Sequence, residues 1–294
     1  GESSLFALSN TVDGLTLPVG SIAAFSSVAQ REVAQGRSLG NSVVSVYAGD
    51  LFLASSLLSC SLPPAPASTP VYDAIAQRLL PYDVHVFGNH EFDFGPGFLK
   101  RYVESFNNGS RTDQPFISGN LDFTPDPEWN DLVDGSGTVV AGQVVNGRVV
   151  AQSAIVGDLV TGQRFGIVSA TTPSLPTISS PAPVTVSSTD IATTAAVVQR
   201  QVDAMKASGI TKIIFVSHLQ SLSNDKEIVA LLSGIDIAVA GGGDDQLANS
   251  PAVLLPGDPP SVGAYPTLVT DKSGVAVPIV TTSGNYKYLG RLDA

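Results

Sequence analysis

Cysteine is almost missing: Cys60 stands alone among 294 residues. Neither an internal disulfide nor a cysteine metal cluster can form, which excludes disulfide scaffolds and zinc-finger modules. Positive charge is short too. With 15 Lys and Arg against 26 Asp and Glu the net charge is −11, and binding to a nucleic-acid duplex through overall charge is excluded. Long apolar runs are also lacking. Stretches such as residues 43–46 and 213–216 are interrupted within a few positions by Gly, Ser, Asp or Lys, far short of the ~18 residues that cross a bilayer. No transmembrane segment is expected.

What is present suffices for a buried core. At 43% hydrophobic residues the chain is not disordered over most of its length, and it is long enough for one large domain or two small ones. Only 14% of residues are charged, while Gly (28) and Pro (20) are plentiful. That balance reads as a protein exposed to salt or secreted, so an extracellular or periplasmic location is expected. One glycosylation sequon occurs, Asn108-Gly109-Ser110.

Periodicity sets the organisation. Residues 20–35 space Ile22, Phe25, Val28 and Val33 as a helix does. A short β-branched run at 43–48 ends in Gly49-Asp50; helix-like residues 72–80 lead to a second run at 84–87, ending in Gly88-Asn89-His90. The same grammar returns at 164–170, at 212–217 ending in His218, and at 236–240 ending in Gly241, with a long helix over 191–207 between the first two. Alternation of this kind predicts a layered α/β sheet, in which polar groups gather at the carboxyl ends of strands. Residues 139–155 and 253–292 read instead as antiparallel hairpin material, with turns at Asn146-Gly147, Gly257-Asp258 and Ser283-Gly284-Asn285. The tail is expected to form a second sheet. Residues 61–69 and 171–183 are Pro- and Ser-rich surface loops that wall a site. Phe94-Gly95-Pro96-Gly97 makes a poor helix start.

Of three histidines, His90 and His218 close strand ends, as Asp50 does, and Asp244-Asp245 follow a fourth strand. Singly, a histidine there is more often hydrogen-bonded structure, and an Asp or Asn a turn or cap. Jointly, carboxylate, amide and imidazole groups on one edge supply ligands to divalent cations, and a bridging carboxylate can hold a pair ~3.5–4 Å apart. His85, inside its strand, is expected to be a core or sheet-face residue. Trp129 and Tyr72 suit either packing or a stacking wall, and Arg111, Arg164 and Lys287 are cations able to meet a phosphate.

Gly49-Asp50, then Gly88-Asn89-His90-Glu91-Phe92-Asp93, then Ser217-His218, each after an apolar strand, resemble the calcineurin-like metallophosphoesterases. The six-residue form is similar to the 5′-nucleotidase branch, supported by Ser118-Gly119-Asn120-Leu121, residues 166–173 and Tyr288-Leu289-Gly290-Arg291-Leu292. The resemblance implies a four-layer α/β/β/α sandwich of two mixed sheets, a single catalytic domain over residues 1–294, and a C-terminal nucleoside-binding domain absent from it. It implies two divalent ions (Mn, Zn, Mg or Ca) and a small phosphorylated substrate. Asp50 would bridge the ions, Asn89 and His218 would hold the second, His90 oriented by Asp93 would assist the leaving group while metal-bound water attacks in line, and Asn120 would contact substrate. Glu91 would hold the loop.

Two stretches depart from the family. Its opening Asp-x-His would fall at Gly1-Glu2, so a first strand ending in Asp is expected ahead of Gly1, in a longer precursor, with Glu2 standing where the His would be. Its Gly-His-x-His is replaced by residues 240–245 (AGGGDD), which puts Gly242 in place of one His and Asp244 in place of the other, a harder donor set. Asp245 is either another ligand or a turn cap. A P-loop is excluded, since this segment lacks Lys-Ser/Thr. Besides phosphomonoester hydrolysis, phosphodiester cleavage and a degenerate, cation-binding interaction module are consistent with this pattern.

Overall fold

The computed structural model describes residues 5–12, 14–66, 68–107, 114–250 and 254–294. The sequon at Asn108, together with Arg111 and Glu2, lies outside the described residues. Along the chain come β1 (Leu8–Val12), β2 (Leu15–Val19), α1 (Ile22–Ser38), β3 (Val46–Tyr47), α2 (Tyr72–Gln77), β4 (Val84–Val86), α3 (Gly95–Asn107), β5 (Phe116–Ile117), β6 (Leu121–Asp122), β7 (Thr138–Val140), β8 (Val150–Ala151) and β9 (Ser153–Gly157). They are followed by β10 (Arg164–Thr171), α4 (Leu175–Ile178), β11 (Thr185–Val186), α5 (Ile191–Ala207), β12 (Lys212–His218), α6 (Leu222–Leu231), β13 (Ile237–Val239), β14 (Thr267–Thr270) and β15 (Ala276–Val280).

Two sheets form the body. The larger runs β14-β15-β13-β12-β10-β9-β7 and the smaller β3-β4-β5-β8. The smaller is parallel throughout, whereas the larger is mixed, with β14 and β9 antiparallel to their neighbours β15 and β10. Parallel strands covered on both faces must be apolar on both, and β12 (KIIFVSH) meets that requirement, its Ile213, Phe215 and Val216 being fully buried. Between the sheets, Val84, Val86 and Ile117 of one meet Ala154, Ile167 and Val216 of the other. Outside the larger sheet lie α5 and α6, through Val198, Val202, Ile228 and Val229. α2 and α3 cover the smaller, with Leu99, Tyr102 and Phe106 packed toward Phe87 and Phe116. The result is the expected four-layer α/β/β/α sandwich.

Local signals explain the best-defined helix. Asp190 accepts the Thr193 N–H at 2.7 Å while the Thr193 hydroxyl accepts the Asp190 N–H at 3.1 Å, a reciprocal cap that satisfies orphaned amides of the first turn. Three expectations need correction. Residues 139–155 are not a hairpin: Asn146 and Gly147 do turn in the left-handed region (φ 54° and 72°), but β8 then joins the smaller sheet beside β5, and β7 pairs with β9 in parallel. The tail does not make its own sheet. β14 and β15 extend the larger sheet next to β13, and their turn lies at Ser273-Gly274. Finally, residues 94–97 lead directly into α3 at Gly95, because Pro96 falls in the first turn, where no amide hydrogen is needed.

His85 is the core histidine its strand position suggested. It is fully buried, stacked on Phe116 with centroids 5.0 Å apart, and its Nε2 meets Gln114 Oε1 at 2.6 Å. Burial outweighs the Gln114 contact and drives its pKa from 6.5 down to about 4. The unfolded ring therefore binds more protons between these values, and stability is lost as pH falls from 6.5 through 4, by about 3 kcal/mol in total. Asp73 acts in the opposite sense, since burial pushes its carboxyl up to about 6 and the stability it contributes is lost as pH rises through that value. Replacing His85 by Phe is expected to flatten the acid limb of stability: thermal midpoints followed by circular dichroism at pH 6.5 and 4.5 should differ less than in the unsubstituted chain, and an unchanged difference would refute the assignment.

Candidate active site

β3, β4 and β12 deliver their polar ends to one place. After β3 the chain turns through Gly49 to Asp50, a non-glycine residue at φ 58°. Such a conformation costs roughly 1–3 kcal/mol and persists only where its surroundings impose it. Here Glu91 imposes it. Its fully buried carboxylate accepts the N–H groups of Gly88 (2.7 Å), Asp50 (3.3 Å) and Leu51, so one side chain ties the loop after β3 to the loop after β4. Burial, joined by the nearby Asp50 charge, raises the pKa of Glu91.

His218 closes β12 and is fully buried. Its Nδ1 lies 2.6 Å from the Ala48 carbonyl oxygen. A carbonyl can only accept, so Nδ1 carries the proton and a neutral ring turns its Nε2 lone pair the other way. There it meets Asp50 Oδ1 at 3.1 Å and Asn89 Oδ1 at 3.1 Å. Three electron-rich atoms thus face each other, which is stable only with a positive charge among them, whether a second proton on the ring or a cation. Burial alone would lower the pKa of His218, but the Asp50 carboxylate more than offsets it and the net shift is upward. Burial likewise raises Asp50, and the His218 and His90 rings hold it below the usual carboxylate range. The backbone leaves room for this cluster and nothing more: a Cβ on Gly88 would lie 2.5 Å from Asp50 Oδ1 and 2.6 Å from His218 Cε1.

His90 stands at the cavity wall beside them. Its N–H donates to Asp50 Oδ1 at 3.2 Å, its Nδ1 pairs with Asp93 Oδ2 at 2.6 Å, and Asp93 Oδ1 in turn accepts from Ser179 Oγ at 2.9 Å. Ser179 belongs to the second Pro/Ser-rich stretch, which reaches the site through Asp93; no described residue of that stretch or of residues 61–69 lines the cavity, which corrects the expectation that they wall it. Asp50, Asn89, His90, Asp93 and His218 are therefore gathered as expected. Asp244 is exposed and lines the same cavity. Among the described residues, no three His, Cys, Asp or Glu side chains form a ligand group by themselves; the third donor beside Asp50 and His218 is the Asn89 amide. Glu2 lies outside the described residues.

The remaining candidates fall elsewhere. Asp245 accepts the Leu222 N–H at 2.9 Å, which makes it a cap of α6. Asn120 is fully buried, and its amide is spent on Thr171 O (2.7 Å), Ser188 Oγ (3.0 Å), Thr171 N (2.8 Å) and Ser118 Oγ (3.1 Å). With both hydrogens and both lone pairs committed it ties β5 to β10 and has no capacity left for substrate, which corrects the expected role. Gly242 has φ 88°, and a Cβ there would come within 2.8 Å of His218 Cδ2, so this backbone cannot carry the family's imidazole. Trp129 is core, packed 4.6 Å from Phe123, and Lys287 is paired with Asp258 at 2.7 Å. Gln220 was not foreseen: at φ 72°, it donates from Nε2 to Asn89 Oδ1 at 2.5 Å, and no spacing rule marks an amide two residues after a histidine.

A cavity of about 590 Å³ opens over the cluster, lined by Asp50, His90, His218 and Asp244 and by aromatic side chains that include Tyr47 and Tyr286. The two-sheet sandwich, with carboxylate, amide and imidazole at the strand ends, defines a calcineurin-like metallophosphoesterase domain. Within that class the chain is a relative of the 5′-nucleotidases. It is 30% identical over 212 residues to the 5′-nucleotidase of Diplobatis ommata and 30% over 220 residues to that of Mus musculus, alignments that take 72% and 73% of this chain and 31% and 32% of those proteins. The chain thus spans about a third of the length of these curated relatives. Among solved structures, a 5′-nucleotidase precursor from Thermus thermophilus superposes with a TM-score of 0.76 at 25% identity, over 97% of this chain and 47% of that one. A calcineurin-like phosphoesterase of Bacillus subtilis shares the fold, with a TM-score of 0.58 at 18% identity over 91% and 74% of the two chains. No family model matches the sequence.

Replacing Gly88 by Ala is expected to force Asp50 and His218 apart and to cost about 1–3 kcal/mol in urea denaturation. Gly97→Ala, in α3 with nothing within 4 Å of the new carbon, should be neutral or stabilising. Equal effects of the two substitutions would mean that the crowding at Gly88 is not real.

Proposed function

We propose that this chain is a metal-dependent phosphoesterase acting on small phosphorylated substrates, phosphomonoesters of 5′-nucleotide or less specific type. The observation that carries the reading is the meeting of Asp50 Oδ1, Asn89 Oδ1 and His218 Nε2, with His218 Nδ1 already committed to Ala48. Neighbouring ligands of an octahedral ion with bonds of ~2.1 Å stand ~3 Å apart, and both measured separations to the His218 nitrogen have that size. The donor set therefore fits a divalent cation held by Asp50, Asn89 and His218. Asp244 lines the same cavity wall, which supports a second ion that it and Asp50 would hold; Mn, Mg or Ca suits the oxygen-rich set better than Zn. When bound, such ions neutralise charge on the phosphoryl oxygens and lower the pKa of water.

The chain's own groups supply the rest. Asp93 holds the Nδ1 side of His90, leaving Nε2 to hold a proton toward the leaving oxygen, and Ser179 keeps Asp93 in place. The relatives' names, 5′-nucleotidase in each case, support a nucleoside leaving group. A place outside the cell is supported by the snake venom 5′-nucleotidase of Crotalus adamanteus, 27% identical over 219 residues; no described helix is long and apolar enough to cross a membrane. Among the described residues β3 is an outer strand of its sheet, and residues 44–48 line the cavity, which supports a further strand beside it. The absence, among the described residues, of three gathered His, Cys, Asp or Glu side chains favours one alternative, a domain that binds one cation without turnover.

Two substitutions separate the roles. His90→Ala is expected to lower turnover of a chromogenic phosphomonoester by ~10²–10⁴-fold with cation content retained. Asp50→Asn should instead empty the site in elemental analysis. Full turnover in the first, or full cation content in the second, would overturn the assignment, and bound cation without hydrolysis under Mn, Zn, Mg or Ca would favour the binding module.

A further inference from the structure

Behind Asp50 lies a buried polar chain that the chemistry above does not use. Leu51, the next residue, is fully buried. Its N–H donates to Glu91, and its carbonyl oxygen accepts from Nε2 of Gln77, on α2. Gln77 is itself buried, and its Oε1 accepts the hydroxyl of Tyr102, on α3, at 2.8 Å. The Leu51 carbonyl, which can only accept, decides which way the Gln77 amide lies, and the Tyr102 hydroxyl then donates to the oxygen left on the other side. Flipped, that amide would set its oxygen against the Leu51 carbonyl oxygen.

We propose that Gln77 is a positioning residue for the Asp50 carboxylate, an inference that rests on the metal-dependent reading above. Asp50 sits in the left-handed region at φ 58°, from which an unrestrained residue other than glycine relaxes. Relaxation would swing its side chain away from His218 and Asn89. Glu91 resists this from the turn after β4 by taking the N–H groups of Asp50 and Leu51. Gln77 resists it from the opposite side by taking the Leu51 carbonyl, so both polar groups of Leu51 are fixed by side chains from separate elements. Remove Gln77 and a buried carbonyl is left without its donor, beside a strained residue whose direction sets the cluster. The helix pair α2–α3 thereby reaches the site without touching it.

A purely structural role would lower stability and leave the cluster's affinity alone, so cation binding is the readout. Gln77→Met keeps the volume and removes the donor. In equilibrium dialysis of the full chain with Mn²⁺ it is expected to bind about tenfold more weakly. On a chromogenic phosphomonoester kcat should fall by a similar factor, with KM within about twofold. Tyr102→Phe removes the hydrogen bond that holds Gln77 Oε1 and should shift both quantities the same way by less; it carries the test if Gln77→Met does not fold. A folded variant that binds Mn²⁺ as tightly as the unsubstituted chain, whatever its thermal midpoint, overturns the proposal while the metal-dependent reading stands. No Mn²⁺ binding by the unsubstituted chain overturns that reading and this one with it.

Discussion

How the two nitrogens of His218 are used governs the site. One is tied to the Ala48 carbonyl, and that single hydrogen bond across the two sheets obliges the other to confront a carboxylate and an amide oxygen. At the wall of a cavity, with His218 itself buried, such a gathering of lone pairs is built to receive positive charge. The tight glycine backbone around it follows from the same requirement. At Gly88 or Gly242 any side chain would occupy the volume of the imidazole itself.

A second layer of constraint makes that encounter possible. Glu91 gathers three amides into one carboxylate, and Gln77 secures the peptide on its far side. Neither is free to approach substrate, yet both act on where Asp50 points. Buried polar groups of this kind are costly unless fully satisfied, and here their partners are backbone groups of the loop they hold. The site is therefore stiff because its supports lie in the core, on α2 and on the turn after β4, while His90 and Asp93 stand at the more accessible wall.

Much of this was legible in the residues. The helix over 191–207 matches α5 at both ends because a capping pair and an apolar stripe are local signals, and the apolar run over 212–217 announced a strand that ends at His218. Asp50, Asn89, His90 and His218 were legible because each follows a strand. Pairing was harder: the turn at Asn146-Gly147 exists, but which sheet β8 joins is decided by Phe116 and Ile117, far away in sequence. Asn120 misled because a buried amide and a substrate-facing one look alike in a chain of letters. Gln77 and Gln220 left no trace, as their partners are a carbonyl and an amide brought near only by folding.

The bond from His218 to Ala48 spans 170 residues, and the approach of His218 to Asn89 spans 129. Contacts of such separation are closed late, after the intervening loop entropy has been overcome by other structure. During synthesis the ribosome must therefore release β12 before the first half of the chain gains its imidazole, and a nascent chain stopped short of that strand carries an Asp50 loop with no partner across the seam. Until that strand has emerged the cluster lacks its central nitrogen, however much of the first half has already folded.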